Sequence, residues 1–304
     1  GHTSRSKDAP MERLIRQGEL EAAPSFKFDD LKKIVTTRVQ YSNLGFESDY
    51  SILQYAENRA LVPVSVWIRD SDLTFQPVQS GVQRATIELY GAVTSLGNRV
   101  LYEFSDMLVR EKESALASSG KSAAHKTLLL EPGRYKLSLV VRDVASGKIG
   151  THEKAVVVPQ SGDRLSSSSL ILAHDIRPAS GTEAPGSLVL GGKYKLLPNS
   201  GRSVRQPQQL HYYLELYGAT LDQSTHQPAL STEVRILQNG KPWPLAEELV
   251  REYPASVELL GDRVVLVGRL PSARLGVGAY RLQVVARDGV NSAETSAWVD
   301  FSVE

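Results

Sequence analysis

A chain of 304 residues has room for two domains, each able to bury its own core. Its 35 Lys and Arg stand against 34 Asp and Glu, so no net field exists to draw in nucleic acid or an anionic membrane surface. Cysteine is absent, which excludes disulfides, thiolate metal centres and a cysteine nucleophile, and no apolar run of about 18 residues is present to cross a bilayer as a helix.

Residues 1–33 read as an N-terminal arm, partly helical or extended, with Pro10 opening a short helix on which Met11, Leu14 and Ile15 fall at helical spacing. The chain begins GHTSRSKDAP, without an initiator Met or an apolar leader. That is the look of a mature protein whose signal peptide has been removed, or of an expression fragment in which Gly1 and His2 are a tag scar.

From residue 34 to 159 the pattern changes to period 2. In LVPVSVWIRD, Val62, Val64, Val66 and Ile68 share one face and Ser65, Trp67 and Arg69 the other. In VQRATIELYGAV, Ala85, Ile87 and Leu89 point inward and Thr86, Glu88 and Tyr90 outward. Residues 160–169, QSGDRLSSSS, offer no core face and mark a linker. Strand patterning resumes over 170–304, where Asn239 and Gly240 form a hairpin signal. The expected fold is all-β: two tandem Ig-like or fibronectin type III-like antiparallel sandwiches behind the arm.

Two stretches are nearly copies, LEPGRYKLSLVVRD (130–143) and LGVGAYRLQVVARD (275–288). A second pair, IELYGA (87–92) and LELYGA (214–219), occurs in the same order, which reads as a duplicated module with altered loops and makes Tyr90 and Tyr217 equivalent. In the long repeat, Gly133 and Gly278 are expected to take backbone conformations closed to other residues. Tyr135 and Tyr280 are expected to form tyrosine corners, each hydroxyl bonding back to the preceding turn. Both copies end in Arg-Asp, either an ordinary strand end or a functional pair or calcium ligand.

No catalytic, cofactor-binding or metal residue is assigned. The six histidines are scattered, no G-x-S-x-G elbow exists, and the glycines of GGKYK and LGVGAY have the spacing of turns. A zinc site assembled by the fold stays open. The aromatics are more informative. Trp67, Tyr90, Tyr213, Tyr217 and Trp298 fall on outward faces, and Trp243 stands in a loop between Pro242 and Pro244. Such a set is a sugar-stacking platform, a protein contact, or a patch covered by the arm or the neighbouring domain.

The blocks LVPVSVWIRDSDLTF, GVQRATIELYGAVTSLGNRVLYEFSD, LEPGRYKLSLVVRDVASGKIGT and DRLSSSSLILA, in this order, resemble the C-terminal β-rich region of bacterial GWxTD domain-containing proteins. The resemblance runs from about Phe28 to the C-terminus. None of Trp67, Trp243 or Trp298 follows a Gly, so the eponymous Gly-Trp-x-Thr-Asp element is missing. The resemblance implies an extracytoplasmic location and brings no active site. The expected function is a non-enzymatic exported structural or protein-interaction protein, self-associating through its arm and sheet edges. A carbohydrate-binding or adhesion module is the alternative, and an enzyme built from distant residues is a third reading.

Overall fold

The computed structural model describes residues 28–56, 58–78, 81–113, 120–181, 188–199 and 201–304. The helix expected at Pro10 lies outside them. Alternating aliphatic residues fold as antiparallel ladders, and the chain is all-β apart from short helices. The described residues divide into two compact units, one within 28–49, 65–126 and 132–159, the other within 50–64, 127–131 and 160–304.

Helix α1 (Asp29–Thr37) is followed by β1 (Glu47–Tyr50), β2 (Leu53–Ala56), β3 (Arg59–Arg69), β4 (Gln76–Pro77) and β5 (Val82–Ser95). Then come β6 (Val100–Glu113), β7 (Lys121–Leu130), β8 (Gly133–Asp143) and β9 (Ile149–Val158). In the first unit β5 is central, paired with β6 on one side and β8 on the other, and β9 closes the sheet beyond β8. This is the C′, C, F, G order of an Ig-type sheet. Strand β3 pairs with β1, β2 and β7 in a further sheet.

The second unit continues with β10 (Ser166–Ser167), β11 (Ile171–Pro178), β12 (Leu188–Leu190), β13 (Tyr194–Pro198), β14 (Ser203–Val204), β15 (Gln209–Tyr217), β16 (Leu230–Gln238) and β17 (Lys241–Pro242). Helix α2 (Ala246–Glu252) precedes β18 (Ser256–Leu260), β19 (Arg263–Pro271), β20 (Gly278–Asp288) and β21 (Glu294–Val303). One sheet runs β11, β15, β19, β18, with β13 and β12 beyond β11; the other runs β14, β21, β20, β16, β17. In sandwich lettering these are A-B-E-D and A′-G-F-C-C′, with A′ parallel to G, so the unit's own connectivity establishes the Ig-like class. Its core forms where Tyr212, Leu214, Leu216 and Leu266 of one sheet meet Ile236, Leu282, Val284 and Phe301 of the other. Each such side chain contributes about 1.5–3 kcal/mol on burial.

Strands β8 and β20 occupy the same place in their units, flanked by C on one side and G on the other. The shorter repeat behaves differently. IELYGA lies on β5, the partner of β8, whereas LELYGA begins on β15, which pairs with β11 and β19 in the opposite sheet from β20. The two hexapeptides are therefore different strands, and Tyr90 and Tyr217 are not equivalent. Both strands are central and need the same inward alternation, and similar words arise from that shared demand.

Tyr280 forms the expected corner: its hydroxyl donates to the Gly276 carbonyl at 2.9 Å and its ring stacks on Phe301 at 5.6 Å. Gly278 has φ 154°, as the corner reading requires. Gly133 does not leave ordinary backbone space; a Cβ there would lie 3.0 Å from the Tyr135 hydroxyl, a tight contact that the tyrosine would have to yield to.

Candidate interaction surface

The outward face of β5 and β8 in the first unit is covered by α1. Asp29 and Asp30 stand in the helix's first turn, where carboxylates suit its dipole, and the helix stops at Arg38, whose φ of 56° is left-handed. Phe28 and Leu31 are buried against Tyr90, Ala92 and Val140, with Ile34 and Val35 beside them. Arg142 grips Glu88 through Nε at 2.7 Å and also pairs with Asp30, while Lys32 pairs with Glu103 at 2.8 Å. Tyr90 is thus 5% exposed, and its phenol is pushed up by burial and by its hydrogen bond with Glu103. The helix crosses the expected end of the arm at residue 33 and lies on its own sheet.

Trp67 is buried as well, because β3 is enclosed on both faces: Ser65 and Trp67 are buried on one and Val64 and Val66 on the other. Among the described residues its indole N–H has no hydrogen-bond partner. Beside it the Ser65 hydroxyl meets His125 Nδ1 at 2.9 Å, and burial holds the His125 ring below its usual range.

Tyr213 and Tyr217 point away from the sandwich core, yet they are buried rather than offered to solvent. Between them stands Glu215, 1% exposed, whose carboxylate accepts from the Tyr213 hydroxyl at 2.7 Å and the Tyr217 hydroxyl at 2.6 Å. Arg263 adds a third donor at 3.0 Å and lies 5.5 Å from the Tyr217 ring. Gln54, also in the second unit, closes the group: its N–H donates to the Tyr217 hydroxyl at 2.9 Å and its carbonyl accepts from Arg263 at 2.8 Å. Burial pushes both phenols up, and the Glu215 charge adds to the shift. Burial alone would lower the Arg263 guanidinium, but Glu215, Asp262 and Tyr217 together outweigh it and the net direction is up.

The Arg-Asp pairs hold loops. Asp288 accepts from the backbone N–H of Thr220 at 2.8 Å and of Val290 at 2.9 Å; Asp143 accepts from Thr74 N–H at 3.1 Å and from the Ser146 hydroxyl at 2.5 Å. Asp288 ties the loop between β15 and β16, and Asp143 the one between β3 and β4, to the end of strand F and the turn after it, a structural duty that needs no cation. Among the described residues no three His, Asp or Glu side chains gather as a metal-binding group.

Two tryptophans remain. Trp243 is half-buried with its ring edge-on to Tyr280 at 6.3 Å, so it joins the rim of the core. Trp298 keeps 52% of its surface exposed, on the outer face of β21. The Arg281 guanidinium lies 3.8 Å from the Trp298 ring centre and is itself held in a fork by Asp300, at 2.7 and 3.0 Å. That fork raises the Arg281 guanidinium and lowers the Asp300 carboxyl. Around them the face is a ladder of ion pairs, Arg235 with Glu233 at 2.7 Å and Arg287 with Glu294 at 2.6 Å. The face corresponds to the one α1 covers in the first unit, with Val285 answering to Val140 and Arg287 to Arg142. A fixed, exposed indole on a flat polar sheet can stack on a planar or apolar partner group without first losing side-chain freedom.

No family model matches the chain, and no curated protein matches it. Among solved structures it is similar to an ectodomain fragment of ICAM-5, at 10% identity over 86% of this chain and 68% of that one, TM-score 0.24. It is also similar to the C-terminal domain of the AgI/II polypeptide BspA of Streptococcus agalactiae, at 11% identity over 84% and 100% of the two chains, TM-score 0.20. The tandem Ig domains of titin follow at 10% identity over 85% and 98%, TM-score 0.18. Among the described residues no helix is long and apolar enough to cross a membrane.

Proposed function

We propose that the chain is a non-enzymatic structural or protein-interaction protein that binds through the outer face of β16, β20 and β21. The observation that supports this reading is Trp298, exposed at 52% and held in place by Arg281 and Asp300. Elsewhere, the strongly coupled charges of Glu215, Arg263 and Arg142 are spent on internal partners, which fits a scaffold. Membership of the GWxTD group, bacterial export and self-association through the arm or sheet edges belong to the same proposal.

A carbohydrate is the second reading, favoured by the same indole with Gln283, Arg281 and Asp300 around it as hydrogen-bonding groups. The native chain and Trp298→Ala, compared on a glycan array and in a light-scattering concentration series, test both. Loss of glycan signal in the variant supports the sugar reading; background signal from the native chain removes it. Assembly unaffected by Trp298→Ala removes this face from the interaction reading, and deletion of residues 1–27 without effect removes the arm. Recovery of the natural protein from the cytoplasmic fraction alone overturns export.

A further inference from the structure

The 14-residue strand β6 pairs with β5. Among the described residues no other strand pairs with it. In an antiparallel ladder successive residues turn their backbone N–H and C=O groups to alternate sides. The Met107 N–H is bonded to the Asp106 carboxylate at 2.9 Å and not to β5, so Ser105, Met107 and Val109 direct their backbone groups to the open side. The register with β5 runs unbroken from Tyr102 to Glu113, and the strand contains no Pro to blunt the edge. Met107 and Val109, 37% and 55% exposed, stand next to each other on one face of that edge. A long, regular, partly apolar edge of this kind is a template for another strand.

We propose that its occupant is β6 of a second copy of this chain, paired antiparallel about a two-fold axis through Leu108. This rests on the reading of the chain as an interaction protein and names the edge. A two-fold axis perpendicular to the sheet keeps each face on its own side, so a residue meets a partner residue two, four or six positions away, or itself. About Leu108, Met107 meets Val109 of the second copy and Asp106 meets its Arg110, each pair occurring twice. Asp106 and Arg110 keep side-chain exposures of 37% and 43% while already touching Lys126 and Asp70, so the new pairs extend alternating charge across the junction. Centring the axis on Asp106 or Arg110 instead sets like charges against themselves.

The chain has no cysteine, which makes the register directly testable. Full-length Met107→Cys and Val109→Cys proteins are oxidised separately and mixed. Facing residues of a hydrogen-bonded pair lie about 5.5 Å apart at Cα, within disulfide reach. The mixture is expected to give several times more covalent dimer than either protein alone. Val109→Lys is expected to shift the native mass from dimer to monomer in a concentration series, with an unchanged circular dichroism spectrum and melting curve. A native dimer that Val109→Lys leaves intact, with no excess cross-link in the mixture, overturns the β6 edge while leaving the interaction reading standing. A chain monomeric at all concentrations also overturns the β6 pairing, and the Trp298→Ala comparison then decides the interaction reading separately.

Discussion

Arg263 meets Glu215 at 3.0 Å in a site where the glutamate side chain is 2% exposed and the arginine side chain 17%. A charge so placed is tolerated only while its partner stays. Arg263→Met leaves the carboxylate with its two tyrosine donors and no counter-charge, and is expected to cost about 3–5 kcal/mol. Replacing both residues by apolar ones is expected to cost less than the single change. Urea unfolding of the two variants checks the order; equal losses would count against the pair as the source of the effect.

Asp288 offers a pH test. Burial pushes its carboxyl up, but the backbone N–H groups of Thr220, Val290 and Asn291 outweigh burial and the net direction is down. A carboxyl held below its unfolded value contributes stability that is present above that value, about 3.9, and is lost as pH falls through the folded one. Stability is therefore expected to drop on acidification below about pH 4, and Asp288→Ala, about 1.5–3 kcal/mol weaker at neutral pH, is expected to flatten that drop. Melting temperature against pH for the two proteins is the measurement.

The docking of α1 rests on Leu31, which has no exposed surface. Leu31→Ala is expected to cost about 2–5 kcal/mol of docking and to free the helix before the sheet beneath it unfolds. Hydrogen exchange should then quicken at Ile34 and Val35 while β8 stays protected. The Tyr90 phenol, held up by burial and Glu103, should titrate closer to its ordinary value of about 10.

Of the three tryptophans, Trp298 is half exposed, Trp67 is 6% exposed and Trp243 lies at the core rim. Acrylamide should quench one component of the fluorescence readily, and Trp298→Phe should remove that component. Arg281→Ala removes the cation-ring contact and should raise the anisotropy decay rate of Trp298 without changing the melting temperature.

Much of the fold is legible in strands such as β20, where Leu282, Val284 and Ala286 alternate with Arg281, Gln283, Val285 and Arg287 and Tyr280 marks the corner. Period 2 states which way a side chain points, and nothing more. It places Tyr90, Tyr213 and Tyr217 away from the sandwich core but carries no sign of α1 over the first or of Gln54 over the last. A usable signal for α1 does exist: Asp29 and Asp30 precede Leu31, Ile34 and Val35 at helical spacing. Glu215, set between two tyrosines on one face, is the other. An acid that shares a face with Tyr213 and Tyr217 has hydroxyl donors on both sides and does not need water.

The two look-alike hexapeptides bear on anyone transferring knowledge between the halves. An alignment anchored on them superposes Glu88 on Glu215, and both do hold an arginine, Arg142 in one case and Arg263 in the other. The coincidence is misleading, since Glu88 sits in the F-strand sheet beneath a helix and Glu215 in the opposite sheet. Substitutions carried across on that anchor would land on the wrong layer, whereas the longer repeat, ending at Asp143 and Asp288, keeps the halves in phase.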